Sequence, residues 1–415
     1  MENNNDFKKG DKAPERDGRE PGMIIDMEAL QQFMAYAFDK HQFRYNEITS
    51  RTEIDGKPMT DRDVNTLFIN AKKAGIKITK ANVEYILNSD YVESYHPIKE
   101  FLENQEVEKK TESIEQLVNS IGSNTYPHEF LQKLITKWLV GTVASLYDGN
   151  INLLLLLLTG AKNTGKTEFF RRLLPLELKD YFADNKLDQG KDSDILMTIR
   201  WIILDDEYGG KSKRDINRLK ELLSKKEVTV RLPYGRHPVT RKRIASLCGT
   251  TNETNLLYDH NGNRRIIPVE VLSRNFDLYD SIDKAALWRE VYQLYKSGYD
   301  WELSKEDIET LSLYTGKFEN HSSEYELVSK YFIPFDPANC QEDERKPMTS
   351  TEILEFLKVR HKTINLTTYR LRKALKQLGF GENGLTYENG IRGRYYQMVQ
   401  VYENAPLSNL PKSIY

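Results

Sequence analysis

Apolar and polar positions along this chain change their period twice. Through about residue 147 the apolar residues recur every three or four positions, as over Asp26–Phe38, Asp61–Ala74 and Thr79–Asn88, where Thr79 stands as a helix cap. That spacing predicts a small, mostly helical N-terminal domain over residues 23–119, with further helices through Ser113–Tyr147. After the turn at Asp148-Gly149-Asn150 the pattern becomes short apolar runs alternating with helices, the mark of an α/β sheet domain over residues 120–300. Ser281–Ser297 and Lys305–Leu313 return to helical spacing, and residues 301–340 read as a helical connection. Beyond the charged linker Gln341–Pro347, helices are expected over Ser350–Val359 and Leu366–Leu378. A hairpin of Leu385–Tyr387 with Tyr395–Val401 then turns around Asn389-Gly390. Helix, helix, basic aromatic hairpin is the order of a winged helix over residues 341–402; a packing module that caps its neighbour has the same order. Residues 1–22, rich in Asn, Gly, Pro and both charge signs, read as a disordered tail, and 403–415 as a second tail.

Composition narrows the class. The chain has 415 residues, enough for two or three domains, and 39% apolar with 29% charged residues suits a soluble globular protein. The leucine run at 153–158 is too short to span a bilayer and fits a strand covered on both faces, so no membrane partner is expected. The polar start has no signal-peptide core, and two cysteines, Cys248 and Cys340, suit a reducing cytoplasm without a disulfide framework or structural zinc.

The chemistry begins where the first apolar run ends. Gly160, Ala161, Lys162, Asn163, Thr164, Gly165, Lys166 and Thr167 spell G-x-x-x-x-G-K-[ST], between the run Ile151–Leu158 and a helix over Glu168–Leu174 that stops at Pro175. A strand that breaks into a glycine loop and restarts as a helix makes a phosphate cradle: backbone N–H groups converge on the anion and the helix dipole adds to them. Lys166 would neutralise terminal phosphates, and Thr167 would ligate Mg²⁺. The cradle for ATP thus spans Gly160–Thr167 and Glu168.

Three further segments separate the kinds of phosphate-loop protein. Trp201–Glu207 is an apolar strand ending in acids, with Asp206 to hold Mg²⁺ and Glu207 to polarise the attacking water. Asp205 leaves open which aspartate serves the metal, and a solvated acidic turn is the plain alternative. Ile244–Asn252 is a small-residue strand whose Asn252 amide suits a lytic water, or is only a turn. Asp259–Pro268 carries Arg264 and Arg265, placed to reach a phosphate or to form a surface salt bridge.

Between the acidic strand and the asparagine strand lies a basic stretch. Tyr208–Arg243 holds twelve Lys and Arg against three Asp and Glu in a chain of net charge −2. Two short strands around Pro233-Tyr-Gly235 would make a hairpin. It would present Arg231, Arg236, His237, Arg241, Lys242 and Arg243 to a phosphodiester backbone, in a salt-sensitive contact largely blind to base sequence. A solvated charged face is the bland reading.

Taken in order, "GAKNTGKTEFFRRLLP", "WIILDDE" and "RLPYGRHPVTRKR…GTTNETNLLYDHNGNRRIIPV" resemble the virulence-associated protein E family. That family is related to primase–helicases of phages and mobile elements and to superfamily 3 helicases. The match runs from about Ser120 to Ser297, and "FRYNEIT" with "SYHPIKEFLE" resembles the segment before the ATPase in bacterial members. The resemblance implies a P-loop core of AAA+ type that assembles as a ring, usually a hexamer, and couples ATP hydrolysis to movement on single-stranded or forked DNA. It further implies Lys166 and Thr167 as Walker A residues, Asp206 and Glu207 as the Walker B pair, Asn252 as sensor and Arg264 or Arg265 as arginine finger. No primase domain is expected in the N-terminal hundred residues, although a separate primase is a natural partner. The expected function is a DNA-stimulated ATPase and helicase; the rival is an ATP-switched, DNA-binding initiator without unwinding activity.

Overall fold

The computed structural model describes residues 26–104, 111–147, 149–185, 191–206, 208, 221–230, 238–253, 257, 264–318, 322–381, 385–388 and 391–401. The chain divides into two compact units, residues 1–106 and 107–415. The tails expected at 1–22 and 403–415 lie outside the described residues, as does Glu207 and the hairpin tip with Arg231, Arg236 and His237.

In the first unit, α1 (Met27–Lys40), α2 (Asp61–Lys73) and α3 (Lys80–Leu87) each begin at a side-chain cap. Asp26 accepts from the Ala29 amide, Thr60 forms a capping box with Asp63, and Thr79 accepts from the Asn82 amide. Between and after them the chain also forms β1 (Phe43–Asn46), β2 (Arg51–Ile54), β3 (Lys57–Pro58) and β4 (Glu93–Tyr95), followed by α4 (Pro97–Glu103). The strands lie in the order β3-β2-β1-β4. This small sheet adds to the helices that periodicity predicts. Its strands have two to four residues, too few for a period of two to show. The β2–β3 turn is Asp55-Gly56 with φ of 51° and 75°, the left-handed pair that a two-residue hairpin requires. Phe33, Phe43, Leu67, Ile78 and Ile86 are among the residues that close the core between helices and sheet.

The second unit opens with α5 (Ser113–Asn119), β5 (Ile121–Gly122) and the long helix α6 (His128–Ala144), buried along almost its whole second half. Glu290, from far along the chain, caps α5 by accepting from the Ser113 amide at 2.7 Å and the Thr111 hydroxyl at 2.8 Å. Five strands then form the central sheet: β6 (Leu155–Thr159), β7 (Phe182–Asp184), β8 (Ile202–Asp205) and, further on, β11 (Ser246–Thr250) and β12 (Ile266–Glu270). α7 (Lys166–Arg171) follows β6, and α8 (Lys191–Ile199) precedes β8. Between β8 and β11 lie β9 (Glu227–Val230) and β10 (Val239–Lys242). The sheet order is β12-β6-β11-β8-β7, with every neighbouring pair parallel. This is a mixed α/β fold built on a parallel sheet. A parallel sheet is covered on both faces, which is why β6 reads as unbroken leucine.

Three tryptophans fasten helices to that sheet. Trp138 of α6 donates to Leu247 O at 3.1 Å, Trp201 donates to Thr142 O at 2.9 Å, and Trp288 donates to Leu173 O at 3.1 Å. The Trp201 and Trp288 rings lie 4.3 Å apart, so the indoles are packed together and each N–H is satisfied. Trp288 sits on α10 (Lys284–Lys296), which follows β13 (Ser273–Arg274) and α9 (Phe276–Ser281). Next, α11 (Lys305–Thr315) is tied to α6 by Asp307, whose buried carboxylate lies 2.6 Å from Lys133 and 3.5 Å from Lys137.

The chain ends in α12 (Ser323–Tyr331), β14 (Phe332–Pro334), β15 (Lys346–Thr349), α13 (Ser350–Arg360), α14 (Thr368–Gln377), β16 (Leu385–Glu388) and β17 (Ile391–Gln400). Strand β17 pairs antiparallel with β14, β15 and β16, and a core of Val328, Phe332, Ile353, Leu357, Leu371 and Met398 joins these helices to that sheet.

Arg243, which sequence places in the DNA-contacting set, lies in the core instead. Arg243 follows β10, is 1% exposed, and donates to Ala245 O and Leu222 O at 2.8 Å, Leu223 O at 2.9 Å and Asn152 O at 3.2 Å. Burial pushes its guanidinium down to about 10. It is a brace for the foot of the β9–β10 hairpin, with no face left for DNA. A buried cation that satisfies four carbonyls is expensive to remove, because the carbonyls are orphaned with it. Arg243→Met should lower unfolding stability by roughly 2–4 kcal/mol, measured by urea denaturation of the full chain.

Candidate phosphate-binding site

The glycine-rich loop leaves β6 at Thr159 and enters α7 at Lys166. Gly160 and Gly165 have φ of 132° and 79°, and Asn163 shares the left-handed region at 65°. Both glycines also fill places without room for a side chain. A Cβ on Gly160 would lie 2.5 Å from Val271 O, and one on Gly165 would lie 2.7 Å from the Phe276 ring. Ala161, Lys162 and Asn163 are exposed at the loop's crest, and Glu168 is exposed on the first turn of α7, accepting from Arg171.

Lys166 is buried and folds back over the loop. Its Nζ lies 2.6 Å from Ala161 O, 3.0 Å from Gly160 O, 3.3 Å from Thr164 Oγ1 and 3.1 Å from Asn252 Oδ1. Burial depresses the ammonium below the ordinary lysine value, and the charge of Asp206 partly opposes that. One residue on, Thr167 Oγ1 donates to Asp206 Oδ1 at 3.0 Å, and the same oxygen accepts from the Thr250 hydroxyl. Asp205 is fully buried as the last residue of β8, whereas Asp206 is half-exposed and faces Thr167. Geometry therefore separates Asp206, which sequence assigns to the metal, from Asp205, which had left that choice open. Arg171 is spent on carboxylates: it pairs with Asp184 and Glu168, and its Nη2 lies 3.8 Å from Asp206.

Lys166, Thr167, Asp206 and Asn252 converge because β6, β8 and β11 are adjacent and parallel, so the segments after each of them leave the same edge. Arg264 and Arg265 do not join them. They precede β12, whose first pairing partner is Leu155 at the start of β6, and Leu155 N donates to Arg265 O at 2.7 Å. Five strand residues, about 16 Å, separate that edge from the loop. Arg264 is exposed, and Arg265 is half-buried with its guanidinium on the Ser224 hydroxyl. The β9–β10 hairpin, antiparallel with Val230 opposite Val239, is rooted at this far edge through Arg243. Arg241 and Lys242 lie on β10, with Lys242 exposed.

Residues 102–320 match the model of the virulence-associated protein E-like domain, slightly more than half of the chain. The chain belongs to this family. No curated protein matches it. Among solved structures, it is similar to the apo structure of the NrS-1 C-terminal region (305–718), at 12% identity and a TM-score of 0.53, covering 90% of this chain and 99% of that one. The A form of the same region matches at 11% identity and a TM-score of 0.49. Among the described residues, no helix is long and apolar enough to cross a membrane.

Sequence reasoning missed one residue at the loop. Arg274 on β13 donates from Nη1 to Gly165 O, and its guanidinium packs 4.5 Å from the Tyr279 ring, 4.9 Å from Phe276 and 5.4 Å from Phe169. Nothing in its local pattern marks it, because its position depends on β13 pairing with β5 (Arg274 opposite Ile121). A guanidinium boxed by aromatics and bonded to the last loop carbonyl acts as a latch on the loop. Arg274→Ala should therefore speed amide hydrogen exchange of residues 161–165 by about tenfold, the equivalent of one charge-assisted hydrogen bond. Exchange in β6 should stay unchanged.

Proposed function

We propose that this protein is an ATP hydrolase of the P-loop, AAA+ type that works on DNA as a ring: a helicase or translocase of a phage or mobile element, acting in replication. The observation that carries this reading is the meeting of Lys166, Thr167, Asp206 and Asn252 at one edge of a parallel sheet, around a glycine loop that opens a helix. Membership of the virulence-associated protein E-like family supports it.

In this reading the amides of Gly160–Glu168 and the α7 dipole receive the phosphates of ATP. Lys166 exchanges carbonyl partners for phosphate oxygens. The Thr167 hydroxyl and Asp206 carboxylate, already 3.0 Å apart, are oxygen donors of the kind Mg²⁺ takes. Bound there, Mg²⁺ would neutralise charge on the phosphates. Glu207 polarises the attacking water and Asn252 orients it. Arg264 and Arg265, at the far edge of the sheet from their own loop, serve the site of the next subunit, which is the physical reason for a ring, read as a hexamer. The hairpin carrying Arg231, Arg236, His237, Arg241 and Lys242 grips the DNA backbone, and the C-terminal unit is read as winged-helix-like. A separate primase would be the partner in the host cytoplasm.

Lys166→Ala should lower ATP turnover at least about 100-fold, and Glu207→Gln should keep affinity for an ATP analogue while turnover stops. The double variant Arg264→Ala/Arg265→Ala should lose about 10³-fold in kcat; full activity would rule out a site completed by the neighbour. Light scattering with ATP analogue and single-stranded DNA should report a ring, and a persistent monomer would overturn the motor. Displacement of a forked strand separates the motor from an ATP-switched initiator, which would bind without unwinding.

A further inference from the structure

Helix α14 is the only described α-helix without an acidic residue. Its buried positions are Leu371, Ala374 and Leu375, so the outward surface is set by Tyr369, Arg370, Arg372, Lys373 and Lys376, all exposed. Tyr369 is 81% exposed, an aromatic held into solvent among cations. None of the four cations forms an ion pair with a described residue; Arg372 only donates to Ser350 Oγ at 3.4 Å. Solvated helices in the same unit look different. On α13, Glu352 and Glu355 accompany Lys358 and Arg360, and on α12 Glu326 accompanies Lys330, while the buried Glu324 carboxylate caps α14 by accepting from the Thr367 amide at 2.8 Å. A face of one sign, with no paired counter-charge among the described residues, costs self-repulsion unless an anion covers it.

Strand β17 adds to this surface. Arg392 and Arg394 are exposed and alternate in register with Tyr396 and Met398, which pack in one core with Leu371 and Leu375 of α14. Alternation along a strand puts residues two apart on one face. The two arginines therefore leave the sheet on the side where α14 lies.

We propose that α14 and the Arg392–Arg394 side of β17 form a DNA-binding surface separate from the β9–β10 hairpin, and that its ligand is double-stranded DNA. A ten-residue helix is about 15 Å long and the major groove about 12 Å wide. Lys373, Lys376 and Arg370 then line the groove walls, Tyr369 packs at its entry, and the two arginines meet the flanking phosphates. The surface does not depend on nucleotide, so it stands or falls apart from the ATPase reading.

The test is fluorescence anisotropy of a 20-base-pair duplex with the full chain carrying Lys166→Ala, without nucleotide, across a salt series. Charge reversal by Arg370→Glu, Lys373→Glu and Lys376→Glu together should weaken duplex binding by roughly 30-fold or more and lower the salt slope by about 3. The milder Arg370→Gln/Lys373→Gln/Lys376→Gln set should move both in the same direction, and Arg392→Ala/Arg394→Ala should weaken binding about tenfold. Unchanged melting temperatures show that the fold is intact. Duplex affinity within twofold of the parent in the glutamate or glutamine set overturns the proposal. So does loss of duplex binding on Arg231→Ala/Arg236→Ala alone, because the hairpin would then be the duplex site.

Discussion

Parallel pairing of β6 with β11 and of β11 with β8 is the constraint on which the candidate site rests. Leu158 lies opposite Thr250, and Gly249 opposite Asp205. In a parallel sheet each strand leaves at the same edge, so three segments far apart in sequence deliver Lys166, Asp206 and Asn252 to one place. A slip of one residue would turn every side chain of β11 to the opposite face. The register is held by burial: Leu155, Leu157, Ile203 and Leu247 fill the core on one side, and tryptophans clamp helices to the sheet. The precision of the site is thus a consequence of apolar packing several residues away from any charge.

The same geometry distributes positive charge between two edges. Lys166 stands beyond the end of β6; Arg264, Arg265 and the foot of the hairpin stand at its beginning. Within the basic stretch, neighbours in sequence have different fates. Lys242 is exposed on β10, while Arg243 next to it is consumed by four carbonyls. Charge density in a sequence says where cations are numerous. Only packing says which of them reach solvent.

That distinction explains what was legible in advance. The loop was readable because its signal is local: eight residues, a leucine strand before and a helix after. The strand ends at Asp206 and Asn252 were readable for the same reason. Asp205 and Asp206 became distinct only when β8 was placed between β7 and β11, which buries the first and turns the second toward Thr167. The sheet around Phe43–Tyr95 escaped a periodicity reading because no strand in it exceeds four residues. Arg243 and Arg274 escaped because the carbonyls that fix their places (Leu222, Leu223 and Asn152 for the first, Gly165 for the second) are 20 to 109 positions away along the chain.

The loop's own contacts suggest why so polar a segment is ordered. Lys166 carries a charge into a buried place, and burial depresses its ammonium. It is compensated there by two loop carbonyls, a threonine hydroxyl and the Asn252 amide oxygen, all neutral acceptors. Neutral oxygens are weaker partners for an ammonium than an anion, so an entering anion displaces them at a net gain. Such a displacement would release Asn252 from Lys166, and Asn252 lies two residues beyond the end of β11, whose last residue Thr250 donates to Asp206. Under the proposed function, filling the cradle would reach the end of β11 through two side chains, Asn252 and Thr250. The strand in the middle of the sheet thus places Thr250 on Asp206 and, two residues later, Asn252 on Lys166, between the loop and the acidic strand.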